Sequence, residues 1–334
     1  MINLKKFVLC SMLIFATSQP VFSQNLAWEN LYDQAGQFLA DGKYSEASET
    51  ARQALRIAET NYGAKNIRAA WSLNVLAYSY QTLGKFKEAE TLVKQALEIS
   101  PDDPNILNNL AIIYTEEGKF VEAEEIAGKA VEIGKKTFGK KDPRIAESLS
   151  TLAGVYRTQG KYFQAEDLYE RSLSLWKKQL GENDPNVVLS IGNLGSVYGA
   201  LRKFDEADEL LKKVLSIHES TLPPDHPVFA LTLREMAKLH IREGNFVSAE
   251  KYLKRALAVQ ENVLGQDHPE VGATAGRLGL LYRLQRKFQE SESSYHRALK
   301  IFEKTHDSNS PYIIDVNKEL VLLNDELQKP RVDK

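Results

Sequence analysis

The sequence predicts an all-α fold, about seven helical hairpins stacked side by side and closed by one further helix. Three observations predict it. A turn of the form Gly-Lys-aromatic recurs along the 334 residues at steps of 42, 34, 42, 42, 42 and 42. Apolar residues hold fixed places around every turn, at the i, i+3, i+4, i+7 spacing of an amphipathic helix. No stretch shows the short polar-apolar alternation of strands, which argues against a propeller of similar period.

The clearest copy runs from Ala146 to Pro185. Leu149, Leu152, Ala153 and Tyr156 share one helical face, Gly160-Lys161-Tyr162 breaks the pattern, and Tyr162, Ala165, Tyr169 and Leu173 share the next. Neither half can bury its apolar stripe alone, so the unit is a hairpin. The other turns are Gly42-Lys43-Tyr44, Gly84-Lys85-Phe86, Gly118-Lys119-Phe120, Arg202-Lys203-Phe204, Gly244-Asn245-Phe246 and Arg286-Lys287-Phe288. Three residues past each aromatic stands a small residue: Ala47, Ala89, Ala123, Ala165, Ala207, Ala249 and Ser291. Four before each turn stands an aromatic or its substitute: Phe38, Tyr80, Tyr114, Tyr156, Tyr198, His240 and Tyr282. A small residue where two helices cross lets their backbones approach, and the aromatic fills the wider space beside it. Burying one such Tyr or Leu contributes on the order of 1.5–3 kcal/mol.

These residues carry a resemblance. Leu-Ala or Leu-Gly, the Tyr, the Gly-Lys-aromatic turn, the Ala and late pairs such as Ala96-Leu97 and Ala256-Leu257 resemble the tetratricopeptide repeat family, whose period is 34 residues. One step here is 34. The others add eight residues, room for two helical turns or for one turn plus a loop. Links such as Leu264-Gly265-Gln266-Asp267-His268-Pro269 look like the 42-residue kinesin light chain subtype. The resemblance implies an α-solenoid, a right-handed superhelix over residues 28–310. Repeats are expected at about 28–69, 70–103, 104–145, 146–187, 188–229, 230–271 and 272–310. The first is degenerate, with Gln34 where leucine is expected. Residues 311–334 form a capping helix and tail: Ile313, Val316, Leu320, Leu323 and Leu327 line one side, with Asp315, Lys318, Glu319 and Asp325 elsewhere.

The amino terminus has the order of a secretory signal: Lys5 and Lys6, an apolar run from Phe7 to Ala16, then Thr17, Ser18, Gln19 and Pro20, and Val21-Phe22-Ser23 with a small residue before the cut. Cleavage is expected after Ser23. The run is short for a bilayer span, which takes about 20 residues, and retention as an anchor is the other reading. An exported chain, in a bacterium periplasmic or secreted, follows. The one cysteine, Cys10, lies in this leader, which excludes a disulfide framework and a cysteine-based metal site.

A formal charge of −2 with 26% charged residues speaks against nucleic-acid binding, which wants a basic domain. No catalytic, cofactor or metal constellation stands out. His226 and His268 occupy the same place in successive links and read as turn residues starting the next helix. His240 reads as a packed, hydrogen-bonded ring.

In the family the first helix of each hairpin lines the inner, concave surface. The resemblance therefore puts Arg234, Lys238 and Arg242, spaced i, i+4, i+8, on that surface, with Arg277 and Arg283 from the seventh repeat and Arg157 from the fourth. Asn109 and Asn193 occupy equivalent inner places in the third and fifth. Arg234, Lys238 and Arg277 match part of a carboxylate clamp by position, but lysine at 238 replaces its asparagine. Two readings stand: a groove for an acidic or polar extended segment, or a solvated basic stripe balanced by Glu235 and Glu243. Near the start, Tyr78 and Trp71 suggest a less polar inner patch, with Trp71 equally placed for the core. The chain reads as a non-enzymatic scaffold binding a protein or peptide. Self-assembly through an end or convex face, or service as a regulatory module for a separately encoded envelope enzyme, are the alternatives, and the oligomeric state is open.

Overall fold

The computed structural model describes residues 19–223, 225–306, 308 and 310–328. The leader up to residue 18 and the tail from 329 lie outside the described residues, and the expected cut after Ser23 falls within the first helix. Fifteen α-helices follow in order: α1 Gln19–Ala40, α2 Tyr44–Tyr62, α3 Ile67–Thr82, α4 Phe86–Ile99, α5 Pro104–Glu116, α6 Phe120–Phe138, α7 Ala146–Thr158, α8 Tyr162–Leu180, α9 Pro185–Ala200, α10 Phe204–Thr221, α11 Val228–Glu243, α12 Phe246–Leu264, α13 Pro269–Leu284, α14 Phe288–Thr305 and α15 Pro311–Gln328. Among the described residues there is no strand. The chain divides into two units, one up to Ile113 and one from Tyr114 onward.

The architecture is the expected α-solenoid repeat of hairpins within each unit. Every turn falls between the two helices of a hairpin, and all seven small residues after it, Ala47 to Ser291, are fully buried. In the fourth repeat Leu149, Ala153, Ala165 and Tyr169 form one buried cluster, with Leu152, Tyr156, Tyr162 and Leu173 packed against it. Hairpins begin at Ile67, Pro185, Val228 and Pro269, two or three residues before the repeat boundaries read from sequence at 70, 188, 230 and 272. The eight extra residues of the long repeats divide as one turn plus a link. The second helix has 14 residues in the 34-residue repeat and 18 or 19 in the others.

The links start the next helix by side-chain capping. Asp142 accepts from Arg144 N, Asp184 from Asn186 N, and His268 Nδ1 from Glu270 N at 3.1 Å. Val228 N donates to His226 Nδ1 at 3.3 Å. Proline follows each of these residues, where its missing N–H costs nothing. An imidazole nitrogen thus takes the place of an aspartate oxygen in two links.

The lysine of the turn ties neighbouring hairpins together. Lys161 lies 2.8 Å from Glu124, Lys203 pairs with Glu166 and Lys287 lies 3.5 Å from Glu250. Each glutamate directly follows the buried small residue of the preceding hairpin. The same lysines stand over Tyr156, Tyr198 and Tyr282. Water screens such exposed pairs, so they set register more than stability. In the two turns without glycine, Arg202 and Arg286 hold φ of 63° and 61°, a left-handed conformation that costs a side-chain-bearing residue roughly 1 kcal/mol.

His218, in the last turn of α10, contacts Thr232 Oγ1 at 3.2 Å through Nδ1 and stands edge-on to Phe229. Burial, with a smaller push from His226, pulls its pKa down to about 4 from 6.5. The folded chain therefore resists a proton that the unfolded chain accepts. This contribution to stability is intact above about pH 6.5 and falls as the pH drops toward 4, by at most about 3 kcal/mol and less for the part of the ring that water screens. Urea unfolding at pH 7 and pH 4.5 should show a loss that shrinks in His218→Gln. An identical loss in both chains would rule the ring out as its source.

Candidate interaction surface

Unit 2 sets the first helices of successive hairpins α7, α9 and α11 beside one another, with α15 next to α13, and an ion pair joins α11 to α13. The basic residues read from sequence lie on these helices, but the structure sorts them. Arg234 pairs with Glu270 of the next hairpin. Lys238 pairs with Glu235 at 2.8 Å and reaches Ser196 of α9 at 3.5 Å. Glu243 pairs with His240, whose ring stacks on Tyr252. The expected stripe of Arg234, Lys238 and Arg242 is therefore not a uniform cationic row: its first two members form a floor of ion pairs.

Glu235 is central to that floor. Burial alone would raise its pKa, but Lys238 and Arg157 together hold it well below the usual carboxylate range. Arg157 reaches in from α7 and lies within the field of the Tyr169 hydroxyl, Glu235 and Glu116. Its Nε is buried without a hydrogen-bond partner.

Two cations rise above the floor. Arg242 and Arg277 are both exposed, and neither has an ion-pair partner among the described residues. Desolvation by its surroundings lowers the Arg277 pKa, Arg234 and Arg242 add to the drop, and Glu235 and Asp315 work against it. Arg283, in contrast, is held by α15, 3.1 Å from Glu319 and 2.6 Å from Glu326. Asn193 lies half-buried on α9 with its amide unengaged.

Asn109 is elsewhere, in unit 1, and its position there corrects the expectation of an open inner amide. Only 4% exposed, it donates to the Asn74 carbonyl and side chain at 3.2 and 3.0 Å. It joins α3 to α5 instead of facing a partner. Trp71 belongs to the core: its ring packs beside Trp28 and its Nε1 donates to Asp103 at 3.0 Å. Tyr78 remains exposed on α3.

The sequence reading missed the acidic half of the surface: Glu116, Glu270, Glu319 and Glu326, with Tyr169 and Tyr312. Repeat register held one usable signal. Glu116 stands two residues before Gly118, as Arg242 stands two before Gly244. Among the described residues, no cluster of three or more His, Cys, Asp or Glu side chains could hold a metal, and no helix is long and apolar enough to cross a membrane.

Hairpins repeated in register, with an inner row of helices bearing the variable polar side chains, define a helical-repeat interaction protein. The tetratricopeptide repeat model matches residues 29–102, 102–162, 145–220 and 228–320, and the chain belongs to that family. Its fold suggests a protein-interaction scaffold, and tetratricopeptide repeat proteins are generally non-enzymatic. A Podosopora anserina chain described as kinesin-light-chain-like is 26% identical, with 62% of this chain and 99% of that one covered and a TM-score of 0.43. A tetratricopeptide repeat protein from Parabacteroides merdae is 16% identical over 90% of this chain and 99% of its own, at a TM-score of 0.50. A Rap protein solved in complex with Competence and Sporulation Factor is 14% identical, covering 90% and 86%, at a TM-score of 0.66. No curated protein matches the sequence.

Proposed function

We propose that this chain is an exported, non-enzymatic scaffold that takes an acidic protein or extended peptide segment on the inner helices of unit 2. One observation carries the reading. Arg242 and Arg277 lie on neighbouring inner helices outside every ion pair among the described residues, with Glu235 and Asp315 acting on Arg277 only through space, beside a floor in which Arg234 and Lys238 are already paired. Guanidinium groups favour bidentate contact with carboxylates, which favours an acidic segment at these two residues. The expectation of export rests on the order of residues at the amino terminus, and the mature chain should begin at Gln24.

The test is affinity for acidic, neutral and basic peptides of matched length, measured at low and moderate salt. Arg242→Glu with Arg277→Glu should weaken acidic peptides by about tenfold or more, since each charge-assisted contact is worth roughly 1.5–3 kcal/mol. Reversing Arg234 and Lys238 instead breaks internal pairs, so it reports on folding as well as on binding. Equal affinity for acidic ligands before and after the Arg242 and Arg277 reversal would sink the reading.

A further inference from the structure

Helix α15 does more than cover the last hairpin. Ile313, Val316 and Leu323 are buried against Ala275, Tyr295, Ala298 and Phe302, as a cap requires. Its first turn, however, also reaches the opposite end of unit 2. The Pro311 ring lies where a side chain of Gly118 would be: a Cβ there would meet Pro311 Cγ at 2.3 Å. Tyr312 donates its hydroxyl to Glu116, 196 residues away in sequence. Burial raises the Glu116 pKa, and this hydrogen bond works against the rise.

The acidic side of α15 then follows the inner surface. Glu319 and Glu326 both hold Arg283, Tyr295 donates to Glu319 at 3.0 Å, and Asp315 adds its field at Arg277. The outer side is unlike that of a plain cap, which is polar. Ile314 is 54% exposed and Val321 59%, with Leu322 also uncovered, while Leu327, on the packed side, is left exposed at the end of the helix.

On the reading that unit 2 binds acidic segments, we infer that α15 is an internal, displaceable ligand: it lies at one end of the inner surface, and the external partner is an acidic amphipathic helix that competes with it. Three features carry this. The helix brings carboxylates to the surface that the proposed ligand would use. Its first turn is tied to the start of unit 2 by one side-chain hydrogen bond and a proline-glycine contact, beside the stacking of Tyr312 on Phe302 and His306. It also carries apolar groups on both sides, so leaving the surface does not strip it of every apolar partner it could find.

The experiment uses the full chain, hydrogen exchange across it, and a labelled peptide with the sequence of residues 311–328 as the binding probe. Tyr312→Phe removes the latch hydroxyl, and Glu319→Gln with Glu326→Gln is the second variant, acting at the other fastening. Either should raise amide exchange in α15 about tenfold, leave exchange in α8 unchanged and raise affinity for the peptide by a similar factor. Unchanged exchange in α15 in both variants, or α15 exchanging only together with α8, would overturn the inference. Affinity lost in Arg242→Glu with Arg277→Glu but insensitive to Tyr312→Phe would overturn it alone and leave the binding reading standing. No peptide binding in any variant would overturn both.

Discussion

Tyr169→Ala is expected to destabilise unit 2 by about 3–5 kcal/mol, the range for removing a large buried ring. Tyr169 is 1% exposed and sits among Leu149, Ala153, Ala165, Leu168 and Leu194. Its loss opens a cavity that α7 and α8 cannot close without moving the turn at Gly160. A second cost is electrostatic. The hydroxyl interacts electrostatically with Arg157, whose Nε lacks a hydrogen-bond partner, and Arg157 helps to hold the Glu235 pKa low. Tyr169→Phe keeps the ring and removes only that polar interaction, so it should cost less, about 1 kcal/mol. Urea titrations of both variants separate packing from polar support. A Tyr169→Ala loss no larger than that of Tyr169→Phe would mean that the ring is not a core element.

The hairpins were legible because each turn repeats a local conflict that sequence states directly: two apolar stripes, a chain break and a small residue at the crossing. The ends of the hairpins were less so. Asp184-Pro185 and His268-Pro269 start helices by capping, and a boundary drawn at 188 or 272 falls inside the helix they begin. The lysine of the turn was visible as a marker, but its role was not. Lys161 finds Glu124 only when two hairpins stack, and that pairing spans 37 residues. The inner surface was half legible for the same reason. Positions of Arg234, Lys238 and Arg277 follow from periodicity, whereas their counter-charges depend on how neighbouring helices approach. Glu270 and Glu235 turn two expected ligand contacts into a paired floor, and Asn74 turns Asn109 into a packing contact. Periodicity fixes what each hairpin presents. It carries no statement of which far residue arrives to meet it, and the Tyr312–Glu116 bond is the extreme case.

Two glycines one turn apart on α13 should respond to alanine with opposite signs. A Cβ at Gly276 would find its nearest neighbour, Ala298 Cβ, at 3.8 Å, an ordinary contact. Gly276→Ala should therefore stabilise by about 0.4–1 kcal/mol, through the lower backbone entropy of the unfolded chain. A Cβ at Gly279 would meet Tyr295 Cδ1, Cε1 and Cγ at 2.7, 2.8 and 2.9 Å. Those are the root and flank of a ring that is 2% exposed, so the ring itself must move, and Gly279→Ala should cost about 1–3 kcal/mol. The fourth repeat shows why this depends on how the ring is held. There Ala153 stands opposite Tyr169, whose hydroxyl leans toward Gly154 and Arg157. Tyr295 has no such freedom: its hydroxyl is fixed by Glu319 of α15, which Arg283 holds in turn. A ring displaced by Gly279→Ala must loosen that contact, so the same variant should raise hydrogen exchange in α15 above that of Gly276→Ala. Thermal unfolding of the two variants side by side checks the signs. If both changed stability in the same direction, the close approach of α13 to Tyr295 would not be what sets the position of the last hairpin beneath its closing helix.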